Sequence, residues 1–464
     1  MEKSCSRRSF ISRSGAAALT SAAALTVLGK TAQARTWEGF VTDFEPHTKP
    51  FMNQYYDGIM DIAYGVRDTQ IDNIAEAMEE AYRRKRNGGS LYSNHLFGHT
   101  PTYALNKDRP GQPWILPVHE SRMMRKKEYE ALKPNDFVLT FRNNSDGCEK
   151  DARSRGVYIA GVTNGYFRFK ETPPKGLANM HTAVEDYASI VIDSQVPWDN
   201  GLVAPPALDF RVCPSTSTAG FLVYWACTAS LANLIGTNGK GSSSEPAKRY
   251  LDLVCERHEM IGTDLPKIDH VTEKMADRVL NDKARFLIYG SPQTGSNGRI
   301  GNEFVDEATG AAAAEGIRPY RELENPASDL RKEDIVLIGA FSSDNDLEIE
   351  VARQARKSGA MTVAFCPFET EGDSPDTRLF REVDFAFNTY SNERNGVIAV
   401  PGIEDNISPV TGVTGNTVHW LLTSQWADHM ARRGETPYFR WGRCYGGANY
   451  LDTIVIPNTK IRGY

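Results

Sequence analysis

The sequence is poor in the patterns that mark common site chemistries. Its seven cysteines include no Cys-x-x-Cys pair, and no Cys/His grouping has zinc-ligand spacing. There is no basic excess: 53 Lys and Arg stand against 59 Asp and Glu, a net charge of −6. Past residue 34 the balance is 48 against 58, more acidic still. That argues against a nucleic-acid partner, which calls for a cationic face, and it leaves small ligands open. The N-terminal apolar run Gly15–Gly29 is alanine-rich and shorter than the roughly 20 residues of a comfortable membrane span.

What is present first is a chain of 464 residues, 40% hydrophobic, long enough for two globular domains with real cores. Its start, Ser6-Arg7-Arg8-Ser9-Phe10-Ile11, is a twin-arginine pattern followed by the small-x-small site Ala32-Gln33-Ala34. The expectation is a signal peptide over residues 1–34, cleaved after Ala34, with an uncleaved anchor as the alternative. It makes the twin-arginine translocase a partner during export and the periplasm or the exterior the place of work, with no membrane contact afterwards. Six cysteines then remain, and an oxidising compartment permits disulfides among them. Cys227 and Cys366 sit in apolar runs, so buried free thiols are the competing reading.

The most informative stretch is Arg285–Gly301, RFLIYGSPQTGSNGRIG. A short apolar strand empties into Gly290, Ser291, Thr294, Gly295, Ser296 and Gly298, and a Glu-bearing helical segment follows. It is neither a Walker loop nor a clean Gly-x-Gly-x-x-Gly. Amides and hydroxyls at a helix N-terminus nevertheless suit an anion. The plain alternative is an ordinary strand-to-helix loop.

Repetition decides the weight given to that loop. Leu132–Gly147 (LKPNDFVLTFRNNSDG) lies over Leu330–Asp346 (LRKEDIVLIGAFSSDND), and Arg153–Val162 (RSRGVYIAGV) over Arg356–Phe365 (RKSGAMTVAF), at offsets of 198 and 203 residues. The hydroxyl-rich helix entry Pro214–Ala232 lies over Val410–Asp428 in the same way. The halves read as copies of one α/β unit, residues 35–240 and 241–464, with 236–246 (GTNGKGSSSEP) as a linker or surface loop. Residues 35–65 read as an N-terminal arm and Thr69–Arg86 as an amphipathic helix stopped by Asn87-Gly88-Gly89. Strands alternating with helices imply parallel sheets covered on both faces, with ligands beyond the C-terminal strand ends.

A strand and Gly/Ser loop, a Lys/Arg-x-x-Asp turn, a strand with a Ser-containing loop, and a hydroxyl-rich helix entry together resemble the SIS (sugar isomerase) domain. The resemblance rests on Phe97-Gly98-His99-Thr100, Arg142-Asn143-Asn144-Ser145 and Val212–Thr218 in the first copy. In the second it rests on Gln293-Thr294-Gly295-Ser296, Ala340-Phe341-Ser342-Ser343 and Pro409–Thr414. It implies two doubly wound, flavodoxin-like αβα sandwiches in tandem, pairing as a homodimer and binding a sugar or sugar phosphate without cofactor or metal. The ligand would be held by Thr100, Asn143, Asn144, Ser145, Ser215 and Thr216 in one copy, and by Ser291, Thr294, Ser296, Ser342, Ser343, Thr411 and Thr414 in the other.

Aldose–ketose isomerisation through an enediol needs a base to move a proton between C1 and C2 and a second acid/base for ring opening. The resemblance implies Glu303 as base; His99, inside a ligand-type loop, and His181, ahead of a strand, are the acid/base candidates. Otherwise Glu303 faces solvent or pairs with Arg299. His419, in an apolar helix, reads as a core histidine. Asp344 follows Ser343 where glycine is usual and would repel a phosphate, so a neutral or carboxylated sugar stands beside a phosphosugar. A non-catalytic carbohydrate binder is the alternative function.

Overall fold

A computed structural model describes residues 49–94, 111–117, 124–141, 147–163, 167–168, 182–198, 200–206, 208, 210–294, 300–309, 316–317, 320–324, 330–367, 378–391, 396–435, 437, 439–440, 453 and 457. All of them belong to one unit, Trp37–Tyr464. Two parallel sheets organise it. The first contains β1 (Leu91–Asn94), β2 (Phe137–Thr140), β3 (Tyr158–Val162) and β4 (Ile190–Ile192), hydrogen-bonded in that order. The second contains β5 (Phe286–Tyr289), β6 (Tyr320–Glu322), β7 (Ile335–Gly339), β8 (Met361–Cys366) and β9 (Phe385–Asn388), in the spatial order β6-β5-β7-β8-β9. Counted within the second sheet this order is 2-1-3-4-5, the flavodoxin-like doubly wound arrangement.

Both faces of the sheets are covered, as their uninterrupted apolar strands require. Along β7, Ile335 and Leu337 join Val271, Met275, Trp420 and Trp426 in one core, while Val336 and Ile338 join Ile349, Ala352 and Ala355 in another. The alternation is the pleat's own period of two.

The Lys/Arg-x-x-Asp turns are built alike ahead of β2 and β7. Asp136 accepts the Lys133 amide and the Ser90 amide, both at 2.8 Å. Asp334 accepts the Arg331 amide at 2.8 Å and the Arg285 guanidinium through two bonds of 2.9 and 2.6 Å. An arginine from a covering helix then ties each turn down. Arg84 donates to the carbonyls of Pro134, Asp136 and Gly156, at 3.0, 3.0 and 2.7 Å. Arg278 donates to those of Lys332, of Glu333 at 2.9 Å and of Gly359 at 2.7 Å. Backbone strain recurs too: Cys213 and Ser408, each before a proline, hold φ of 60° and 61°.

Eight helices complete the framework used below: α1 (Phe51–Thr69), α2 (Ile71–Arg86), α3 (Thr216–Gly236), α4 (Glu245–Gly262), α5 (Leu265–Asp282), α6 (Glu303–Thr309), α7 (Asp346–Ser358) and α8 (Thr411–Arg432). Where the expected arm over residues 35–65 is described, from residue 49 on, it is the helix α1 from Phe51. Its buried face of Phe51, Met52, Tyr55, Ile59, Ile62, Ala63 and Val66 has helical spacing, which Gly58 and the scattered polar residues disguise. Of the two expectations for 236–246 the surface loop holds: residues 238–240 are exposed, and the loop is pinned at Ser243, whose carbonyl accepts the Ser230 hydroxyl at 2.5 Å and whose hydroxyl donates to Glu79 at 2.5 Å. The helical segment expected from Ile300 begins at Glu303, because Gln293-Thr294 and Ile300-Gly301 first pair as a small antiparallel ribbon.

α3 and α8 are apolar on nearly every side and are enclosed accordingly. α3 is long and apolar enough to cross a membrane, but its span is mostly buried within the protein, as a core helix. The enclosure is reciprocal. α1, which precedes the first sheet, packs on α8, which follows the second; α4, which precedes the second sheet, packs on α3, which follows the first. α2 and α5 cover α3 and α8 from their own sides, and α3 touches α8 directly.

Five cysteines lie among the described residues, Cys148, Cys213, Cys227, Cys255 and Cys366, and all are buried free thiols.

The exchange predicts that a chain cut after Lys240 gives fragments that fold only together. Fragment 37–240 alone lacks the partner of α1, and 241–464 alone lacks the partner of α4. Co-expression is expected to give a one-to-one complex with a cooperative melt. A monomeric 37–240 that melts cooperatively by itself would refute this.

Candidate functional site

In a 2-1-3-4-5 sheet the chain departs in opposite directions from the first and third strands, and the crevice between their C-terminal ends is where ligands sit. Here those strands are β5 and β7. Ser291, just past β5, is buried and held from three directions. Its amide donates to Glu348 Oε1 at 2.9 Å, its carbonyl accepts Asn302 Nδ2 at 2.9 Å, and its hydroxyl accepts Asn345 Nδ2 at 3.3 Å. Both asparagines also cap helices. Asn302 Oδ1 accepts the Phe304 amide at 2.9 Å at the start of α6, and Asn345 Oδ1 accepts the Leu347 amide at 3.0 Å at the start of α7. Gly290 is required: a Cβ there would stand 2.4 Å from the Asn302 side chain.

The loop after β7 closes the other side. Ser342 is half-buried and its hydroxyl accepts the Asp344 amide at 3.2 Å. Ser343 is buried and its carbonyl accepts the Leu379 amide at 3.0 Å. Thr294 lies on the exposed ribbon with Ile300. The crevice thus brings Ser291, Ser342 and Ser343 to adjoining strand ends, while Thr294 stands outward.

A second polar group lies behind it, where α6 meets α3 and α8. Glu303 is fully buried, and its Oε1 would lie 3.3 Å from a Cβ placed on Gly412, in the first turn of α8. Its amide donates to Gln293 Oε1 at 3.3 Å. Glu303 therefore does not face solvent. One helical turn on, buried Glu307 accepts Trp420 Nε1 at 2.7 Å on one oxygen and the Ser217 hydroxyl at 2.8 Å on the other. Burial pushes its pKa up to about 7; the two hydrogen bonds oppose the rise, and neighbouring Glu303 and Asp306 add to it. The Tyr55 hydroxyl, from α1, is raised well above the phenol range by burial and then by Glu307. Ser217, Tyr55 and Glu307 come from far-separated parts of the chain, so helix exchange assembles this group.

The hydroxyls expected at the helix entries are all buried. Ser215 donates back to the Asn200 carbonyl at 3.0 Å, and Thr414 to the Val410 carbonyl at 3.2 Å. Thr216 and Thr411 occupy the first turns of α3 and α8. His99, Thr100, Asn143, Asn144, Ser145, His181 and Ser296 lie outside the described residues. His419 is buried against Trp420, its ring 4.9 Å away edge-on, and burial lowers its pKa to about 3. Buried His258 bonds the Thr417 hydroxyl at 2.8 Å and is lowered by burial to about 4. Among the described residues no group of three or more His, Cys, Asp and Glu is placed to hold a metal ion.

Sequence reasoning singled out Glu303 but missed Glu307 and Glu348. The available signals were the i+4 spacing of Glu307 from Glu303 and the position of Glu348 in the first turn after a Ser-Ser loop.

No family model matches the chain. A UPF0309 protein of Geobacillus sp. strain WCH70 is 26% identical over 133 residues, covering 27% of this chain and 54% of that protein. A UPF0309 protein of Halalkalibacterium halodurans is 22% identical over 133 residues, 27% of this chain and 53% of that protein. The match thus spans about half the length of these relatives. Among solved structures, tagatose-6-phosphate ketose/aldose isomerase from Escherichia coli has 12% identity and a TM-score of 0.43, over 85% of this chain and 97% of that one. The C-terminal domain of glucosamine-fructose-6-phosphate aminotransferase from Francisella tularensis has 8% identity and a TM-score of 0.40, over 79% and 96%.

Glu307 gives a pH test. In the folded chain it keeps its proton to about pH 7, whereas an unfolded glutamate releases it near 4.5. The native state therefore binds the extra proton in that window, and stability falls as pH rises through it. Glu307→Gln removes this slope. The stability difference, variant minus wild type, is expected to grow from pH 4.5 to 7 by up to about 3 kcal/mol and then level off. His258 and His419 titrate in both proteins and cancel. Denaturant unfolding at each pH reads it, and a difference independent of pH contradicts it.

Proposed function

We propose that the chain is a tandem SIS-type isomerase that acts on a sugar or phosphosugar after export. In this reading residues 1–34 are the twin-arginine signal cleaved after Ala34. Residues 35–240 and 241–464 are the two copies, paired within the chain through the exchanged helices and further as a homodimer. The recurring Asp-capped turns, the two arginine clamps and the paired strained residues at Cys213 and Ser408 support the duplication.

The observation that carries the activity is the pair of buried carboxyls, Glu303 and Glu307, one helical turn apart on α6. Isomerisation needs one carboxylate to take a proton from carbon and return it to the neighbouring carbon, and one acid to protonate the oxygen that receives the electron pair. Glu303 takes the first role, as the resemblance implies. Glu307, protonated up to about pH 7, can supply the second. His99 and His181 remain the candidates for ring opening.

One observation favours the binder as second reading. The Ser291 amide, the donor best placed for a ligand anion, is already bonded to Glu348.

Sugars and sugar phosphates that raise the melting temperature identify ligands. Exchange of the C2 proton of each hit into D₂O then separates isomerase from binder. Glu303→Gln is expected to keep the thermal shift and lose exchange by at least about 100-fold. Exchange undiminished in that variant removes Glu303 from the base role, and no exchange from any bound sugar in the wild type leaves the binder.

A further inference from the structure

The crevice between β5 and β7 already contains an anion of the chain's own. Glu348, in the first turn of α7, is 0% exposed. Its Oε1 holds the Ser291 amide, and its Oε2 is buried with no hydrogen-bond partner among the described residues. Asp346 stands in the same turn, and Asp344 lies just ahead of the helix. The neighbouring cation, Arg378, is bound to Asp346 Oδ1 at 2.6 Å and lies 3.5 Å from the Asp344 carbonyl. A carboxylate of the chain thus occupies the place where a ligand would otherwise find a free amide and a helix N-terminus.

A doubly charged phosphate here would compete with Glu348 for the same donor and face its charge across a poorly screened interior. A hydroxyl has neither difficulty, because it can donate to a buried carboxylate oxygen that lacks a partner and accept from Ser342 or Asn345. From this we infer that the crevice takes an uncharged, hydroxyl-bearing part of its ligand, a sugar not esterified with phosphate at that end, and that Glu348 makes the selection. The inference rests on the sugar-site reading above and narrows it to one of its two substrate classes. Burial raises the Glu348 pKa and the Ser291 bonds lower it, so the carboxyl is poised by the loop it closes.

Inorganic phosphate is the probe. It is titrated into the full chain and into Glu348→Gln, with melting temperature as readout. Wild type is expected to show no phosphate-dependent rise. In the variant the Ser291 amide is no longer held by a carboxylate and the buried charge beside it is gone, and phosphate is expected to bind on the order of tenfold more tightly or better. Equal stabilisation of both proteins overturns the inference, and so does a folded variant that ignores phosphate. Should Glu348→Gln fail to fold, Asp344→Asn, at an exposed position, decides: a few-fold gain in phosphate response supports the inference, and none overturns it. These outcomes do not depend on turnover, whereas failure of the isomerase reading shows as absent C2 exchange whichever way phosphate falls.

Discussion

A helix that is apolar on every side must be enclosed on every side, and this chain has two of them. α3 and α8 carry almost no solvent face, so each needs more cover than its own sheet and its own flanking helix supply. The missing cover comes from across the molecule, α4 for α3 and α1 for α8. Removing either would expose aromatic side chains of the size of Trp225, Trp420 and Trp426, each worth several kcal/mol of burial. The interlock is therefore a condition of stability, and the rest of the architecture is arranged around it.

Enclosure also explains why polar chemistry lies so deep. The first turns of α3 and α8 bring unpaired backbone amides, threonines and serines into the interior, and such groups are costly unless bonded. Ser215 and Thr414 meet the cost locally, by bonding backward to carbonyls. Ser217 and the indole of Trp420 meet it across the chain, by converging on Glu307. A carboxyl so placed is useful to both sides: it satisfies two donors, and burial keeps its proton available near neutrality.

Much of the framework was legible because it is local. The Asp of each Lys/Arg-x-x-Asp turn bonds an amide three residues back, so the four residues fix the turn and the apolar run after them must be a strand. Strand order could follow from alternation and repetition. Helix exchange could not, because nothing in the amphipathic pattern of α1 or α4 says whose groove it fills. Arg84 and Arg278 escaped for a related reason: in sequence each is one charged residue on a helix face, and only in space does it gather three carbonyls. α1 escaped because aromatics beside Gly58 read as turn-rich.

The site divides along the same line. Ser291, Ser342 and Ser343 were legible since strand-end position and side-chain type together define them. Glu348 was not, because a glutamate in the first turn of an amphipathic helix is ordinarily solvated and favoured there by the helix dipole alone. Its burial follows from Ser291, whose amide needs an acceptor once Gly290 has let the chain fold tightly over Asn302. The closing of the loop and the arrival of a negative charge in the crevice are thus one event. A sequence that kept the glycine and the serine but lost the glutamate would leave a buried amide in want of an acceptor. A bound anion would then be the natural group to fill it.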